Sequence, residues 1–151
     1  MAAGVYETVM PATAVTAQKT LIEIVNPDDV AVEILRVEIG QENLTADEIW
    51  TAIWQTYSAT GTGTAGTIYP SRSKDGTHPN PVTSKYNMTV EGSGAALYKT
   101  FAPFHIKNGL LWVATPHETL ILPGSAVHGL KLTKTPSASA TTTAIVVWKY
   151  S

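Results

Sequence analysis

Four histidines, His78, His105, His117 and His128, are the side chains best suited to hold a metal or move a proton near neutral pH. His105, His117 and His128 fall among C-terminal stretches with strand character, and three imidazoles converging on one sheet face would make a divalent-metal site of the double-stranded barrel kind. Their spacing argues against it. A His-x-His pair followed by glutamate is missing, and His117-Glu118 follows Pro116 at a strand start. No metal or other cofactor is expected. A serine nucleophile would stand in Gly-x-Ser-x-Gly on a sharp turn. Gly92-Ser93-Gly94 does not match that pattern, and neither Ser93 nor Ser125 has a neighbour that would activate it. The carboxylates available to pair for glycoside hydrolysis, Asp28, Asp29, Asp47, Glu48 and Glu91, sit at turns or strand ends, where capping and solvation account for them. Gly61 to Gly66 lacks the Lys-Ser/Thr ending of a phosphate loop. The chain is read as a non-enzyme.

Tryptophan serves both cores and sugar-stacking platforms. Trp112 and Trp148 alternate with aliphatic residues and are assigned to the core. Trp50 and Trp54 share a face with Ala52, and either one, if exposed, would provide a platform for a carbohydrate or receptor.

The elements that must position these residues are strands. From Ala96 to Ser151 short alternating runs end at strong turn signals: Asn108-Gly109 between Phe101 to Lys107 and Leu110 to Ala114, and Pro123-Gly124 between Thr119 to Leu122 and Ala126 to Thr133. Each pair is expected as a hairpin, with Gly124 taking the left-handed position of its turn. Lys19 to Val25 is a further strand, turned back as a hairpin by Asn26-Pro27-Asp28-Asp29. In the next run Val30, Val32 and Ile34 have one parity while Leu35, Val37 and Ile39 have the other. A β-bulge at Ile34-Leu35 keeps both sets on the core side.

Thr45 and Glu48 form a capping-box pattern, so one helical turn is expected there, followed by a strand from about Trp50 to Tyr57. Met1 to Gln18 is interrupted by Pro11 and lacks a sustained period, which suggests an extended N-terminal arm over residues 1–18 ahead of a sandwich domain over 19–151. Ser58 to Pro81, rich in Gly and Pro, is expected as a long loop and contact surface. The fold class is all-β: a single-domain, jelly-roll-like sandwich of about eight to ten antiparallel strands. Immunoglobulin-like sandwiches share the same alternation.

Bulk properties fit one self-supporting domain. A chain of 151 residues buries roughly 70% of its unfolded surface on folding. With no cysteine, disulfides and thiolate metal sites are excluded. Twelve acidic and ten basic residues give a net charge of −2, which does not make the basic surface that nucleic acid requires. No run reaches the ~20 apolar residues of a membrane helix, and the N-terminus lacks a signal-peptide pattern. Neither nucleic acid nor membrane is expected as a partner. With only 15% of residues charged and Thr, Ala, Gly and Ser abundant, the surface suits contact with other protein.

The order of features resembles the small β-sandwich decoration, or cement, proteins of tailed-bacteriophage capsids. The segments that carry the resemblance are Thr20 to Val25, Glu33 to Gly40, Tyr57 to Gly63, Thr119 to Gly124 and Ala144 to Tyr150. It implies a jelly-roll-like domain, commonly trimeric, made in the host cytoplasm and seated on the outside of the virion against the major capsid protein. It also implies stabilisation of the expanded shell through intersubunit contacts. Val5, Tyr6, Val9, Met10 and Tyr69 are the candidate subunit or capsid interface. The alternative is a carbohydrate- or receptor-binding module of a phage tail or fibre, working through Trp50 or Trp54.

Overall fold

β-Branched and aromatic residues at alternating positions favour extended backbone, and the computed structural model, which describes residues 4–42, 47–72 and 82–151, contains strands and no helix among them. There are fourteen: β1 Val5–Val15, β2 Lys19–Asn26, β3 Val32–Gln41, β4 Ile49–Trp50, β5 Ala52–Tyr57, β6 Thr62–Ala65, β7 Ile68–Pro70, β8 Thr83–Val90, β9 Ala96–Thr100, β10 Phe104–His105, β11 Leu110–Val113, β12 Leu120–Leu122, β13 Ala126–Leu132 and β14 Ala140–Tyr150. One sheet runs β11-β3-β14-β1-β7, with β12 also pairing β3; the other runs β6-β8-β2-β13-β5-β9. A short β4-β10 pair lies beside them.

The order β1-β14-β3-β11 against β2-β13-β5-β9 is that of a jelly roll, with the chain crossing between sheets at most connections. All pairings are antiparallel. The segment between β5 and β9 is an insertion. It extends one sheet by β8 and β6 and the other by β7.

Several sequence expectations are corrected here. The arm expected over residues 1–18 is a strand over Val5–Val15: β1 lies between β14 and β7, as an inner strand of its sheet, and residues 1–3 lie outside the described residues. Pro11 hides this strand from a simple periodicity reading, because it falls in a bulge between Met10 and Thr13, where a missing backbone N–H costs no ladder bond. On either side of that bulge Tyr6, Met10 and Val15 are all buried.

The Gly61 to Gly66 stretch is likewise not a plain loop, since Thr62–Ala65 pairs with β8. A Cβ at Gly61 would come within 2.1 Å of the Val90 carbonyl oxygen, so glycine is what lets the chain lie this close. The predicted hairpins are crossovers. β2 and β3, β10 and β11, and β12 and β13 all belong to different sheets. Asn108 and Gly109 do turn the chain, both amides donating to the His105 carbonyl at 3.0 Å, with Gly109 at φ +76°. In the other turn the left-handed residue is Ser125, at φ 56°, rather than Gly124. Thr45 and the predicted helical turn lie in part outside the described residues.

The bulge on β3 is present. Val147 pairs with Arg36 and Trp148 with Ile34, so Leu35 is the extra residue and both Ile34 and Val37 are fully buried. At this same point β3 changes partner from β12 to β11.

Between the sheets lie Trp50, Trp54 and Trp148, each with no exposed surface. Their indole N–H groups are satisfied in place by Glu48 Oε1 at 2.8 Å, His128 Nδ1 at 2.8 Å and Thr8 Oγ1 at 3.0 Å. Burying an indole without such a partner would cost about 1–3 kcal/mol.

Candidate functional site

Strict alternation on paired strands gives each sheet an outer face as well as a core face. On the β1-bearing sheet the outer face is largely apolar. Leu111, Glu38, Ile145 and Val9 form one row across β11, β3, β14 and β1. Val113, Arg36, Val147, Glu7 and Tyr69 form the next, reaching β7. Leu111, Val113 and Tyr69 are exposed at 63%, 57% and 49%. The charges on this face pair within it: Arg36 Nε lies 3.4 Å from Glu38 Oε2, and Lys149 Nζ 3.5 Å from Glu33 Oε2.

The predicted interface residues separate by parity. Val5 and Val9 are half-buried on this outer face, and Tyr69 is exposed at its rim. Tyr6 and Met10 point the other way, into the core. Tyr6 packs against Trp148 and Tyr150, with ring centroids 5.1 and 6.5 Å apart, and Met10 has no exposed surface. Neither is available to a partner. Leu111 and Val113, both exposed, and the half-buried Ile145 were missed as surface residues, while Val147 on the same face is buried. Their signal lies in the runs Leu110-Leu111-Trp112-Val113 and Ala144-Ile145-Val146-Val147-Trp148. An unbroken apolar run on an antiparallel strand means that both faces are apolar.

The outer face of the other sheet carries a roofed polar network. Glu23 on β2 is fully buried and accepts from the Thr60 hydroxyl and, at 3.2 Å, from the Gly61 amide. Lys85 on β8 fastens the same strap, donating to the Gly61 carbonyl at 2.8 Å and to Thr60 Oγ1 at 2.9 Å. Beside it Tyr57 bonds to the Thr20 hydroxyl and receives the Gln55 amide. Glu91 Oε1 accepts the Thr20 amide at 2.9 Å and lies 3.5 Å from Lys131 Nζ. Burial pushes the Tyr57 phenol above its ordinary range, and the Glu91 and Glu23 carboxylates push in the same direction. The Glu23 carboxylate is committed to the strap that covers it, so the network acts as a fastening.

The histidines are dispersed. His128 is in the core, and desolvation lowers its pKa to about 4. His105 Nε2 lies 2.8 Å from Asp47 Oδ1, with Lys107 Nζ 3.1 Å from Asp47 Oδ2; the hydrogen bond and charge of Lys107, with smaller help from His105, lower the Asp47 pKa. His117 is exposed, and His78 lies outside the described residues. Among the described residues no three His, Cys, Asp or Glu side chains cluster in a way that could hold a metal ion. Glu48, expected to cap a helix, accepts instead from Trp50 Nε1 and, at 2.9 Å, from the Ser137 amide; the Ser137 hydrogen bond leads in lowering its pKa. Trp50 and Trp54, the residues on which a sugar platform was to rest, have no exposed surface, so neither ring can stack on a ligand.

Comparison with protein families, with characterised proteins and with solved structures finds no match.

Proposed function

We propose that this protein is a structural component of a tailed-bacteriophage virion that binds the outside of the capsid and stabilises the expanded shell. The observation that carries the proposal is the placement of the strands between β5 and β9: β6, β7 and β8 lie along one flank of a jelly roll and display Tyr69 and Val90, exposed at 49% and 59%. A clamp of this kind acts by mass action: binding the expanded lattice and not its precursor lowers the free energy of the expanded state alone. Rigidity matters because a preformed contact surface loses little entropy on docking. The balanced charge and the resemblance of the strand segments support the same role.

The test is pelleting of the purified protein with expanded and unexpanded shells of the phage that encodes it. Saturable binding to the expanded form, with a raised shell disruption temperature, is expected. Equal binding to both forms, or none to either, would refute the proposal.

A further inference from the structure

We propose that the apolar outer face of the β11-β3-β14-β1-β7 sheet is the contact surface for a second copy of this chain, in a two-fold, face-to-face dimer. The inference is independent of the capsid reading. Two observations carry it: extent and charge arrangement.

The face is large enough. Strands spaced about 4.8 Å apart with a rise of about 3.4 Å per residue give these five elements roughly 600 Å² in plan. Their accessible surface is larger because side chains stand out from the sheet, and a standard interface uses about 800 Å² per partner. Sheets pack face to face through rows of aliphatic side chains. Leu111, Ile145 and Val9 in one row and Val113 in the next supply such side chains.

The charges are self-complementary. Arg36 and Glu38 stand two residues apart on the same face of β3, already 3.4 Å apart at Nε and Oε2. A two-fold axis lying in the interface and perpendicular to β3 reverses the order of any such pair in the second copy, which sets Arg36 over the second copy's Glu38 and Glu38 over its Arg36. Lys149 and Glu33 are also paired within the face at 3.5 Å. Glu7, between Val147 and Tyr69 in register, is the remaining acidic group of these rows. An isologous contact requires such a patch, in which each feature meets its own complement.

Sedimentation velocity of the intact chain over a wide concentration range tests the proposal. The expected species has twice the 16.1 kDa chain mass. Ile145→Lys and, independently, the solvent-exposed Leu111→Lys are expected to weaken dimerisation by at least about tenfold while leaving the thermal unfolding transition and near-UV spectrum in place. Arg36→Glu should weaken it, and Arg36→Glu combined with Glu38→Arg should restore it. A monomer at every concentration, a trimer, or a dimer indifferent to both lysine variants would overturn the proposal. So would protection of β3 and β14 amides that appears only when capsid shells are added, since the face would then belong to the shell.

Discussion

Trp54 on β5 donates its indole N–H to Nδ1 of His128 on β13 across 2.8 Å, with both residues shut away from solvent and their rings at 71°. The bond requires a neutral imidazole, because a protonated Nδ1 would present a second donor to the indole.

Acid stability follows from this pair. The folded His128 pKa, about 4, is below its ordinary value of 6.5 because burial disfavours the charged form. The unfolded chain therefore binds a proton more readily than the folded one. Stability is complete above pH 6.5, falls as the pH drops from 6.5 to about 4, and levels below that, with a total loss of about 3 kcal/mol from this residue. Urea unfolding at pH 7 and at pH 4.5 measures the fall, and His128→Gln, which keeps an acceptor for Trp54, is expected to flatten it.

Glu23→Gln replaces a carboxylate that accepts from Thr60 and Gly61 with an amide that has one acceptor and one opposing donor. About 2 kcal/mol of stability should be lost. The loss should be concentrated in the strap, so hydrogen exchange at the Gly61 amide would quicken more than at β2 or β13 amides.

Deleting Leu35 and Arg36 together makes Ile34 and Val37 adjacent and so forces them to opposite faces, and one half of β3 must turn its apolar residues to water; deleting Leu35 alone leaves them two positions apart, both on the core face of a regular strand. The double-deletion variant is expected to be insoluble or molten, whereas the variant lacking Leu35 alone, which keeps both residues on the core side, should fold and purify normally. Circular dichroism and gel filtration of the two variants separate the outcomes.

That bulge was legible in the sequence because it is a local phase change, visible in the parities of Ile34 and Val37 alone. Fold class was legible for the same reason, through alternation within single strands. The pairing partners were not. Among the described residues no strand pairs with the strand next to it in sequence, so turn chemistry at Asn108-Gly109 or Pro123-Gly124 could mark a reversal without saying which sheet the chain enters. The partner is decided by burying two apolar faces at once, which is a property of the whole chain. The candidate surface was half legible: Val5, Val9 and Tyr69 were placed on it, while Tyr6 and Met10 share their segments but have inward parity. A choice by segment cannot separate the two, whereas a choice by parity can.

Deletion of residues 1–15 removes β1, and with it the ladder to β14, the ladder to β7 and the buried side chains of Tyr6, Met10 and Val15. The truncated chain is expected to lose its cooperative unfolding transition, as followed by near-UV circular dichroism. A truncation that unfolds like the intact chain would mean that β1 adds nothing to the core.

The central claim is that this jelly roll works through its built surfaces, with the β6–β7 flank meeting the shell. It is tested most directly by measuring occupancy on expanded shells for the intact protein and for a Tyr69→Asp, Val90→Asp variant whose thermal unfolding matches it. Saturable occupancy by the intact protein and a loss of at least about tenfold in affinity for the variant are predicted. Equal occupancy by the two proteins, or failure of the intact protein to bind, would contradict it.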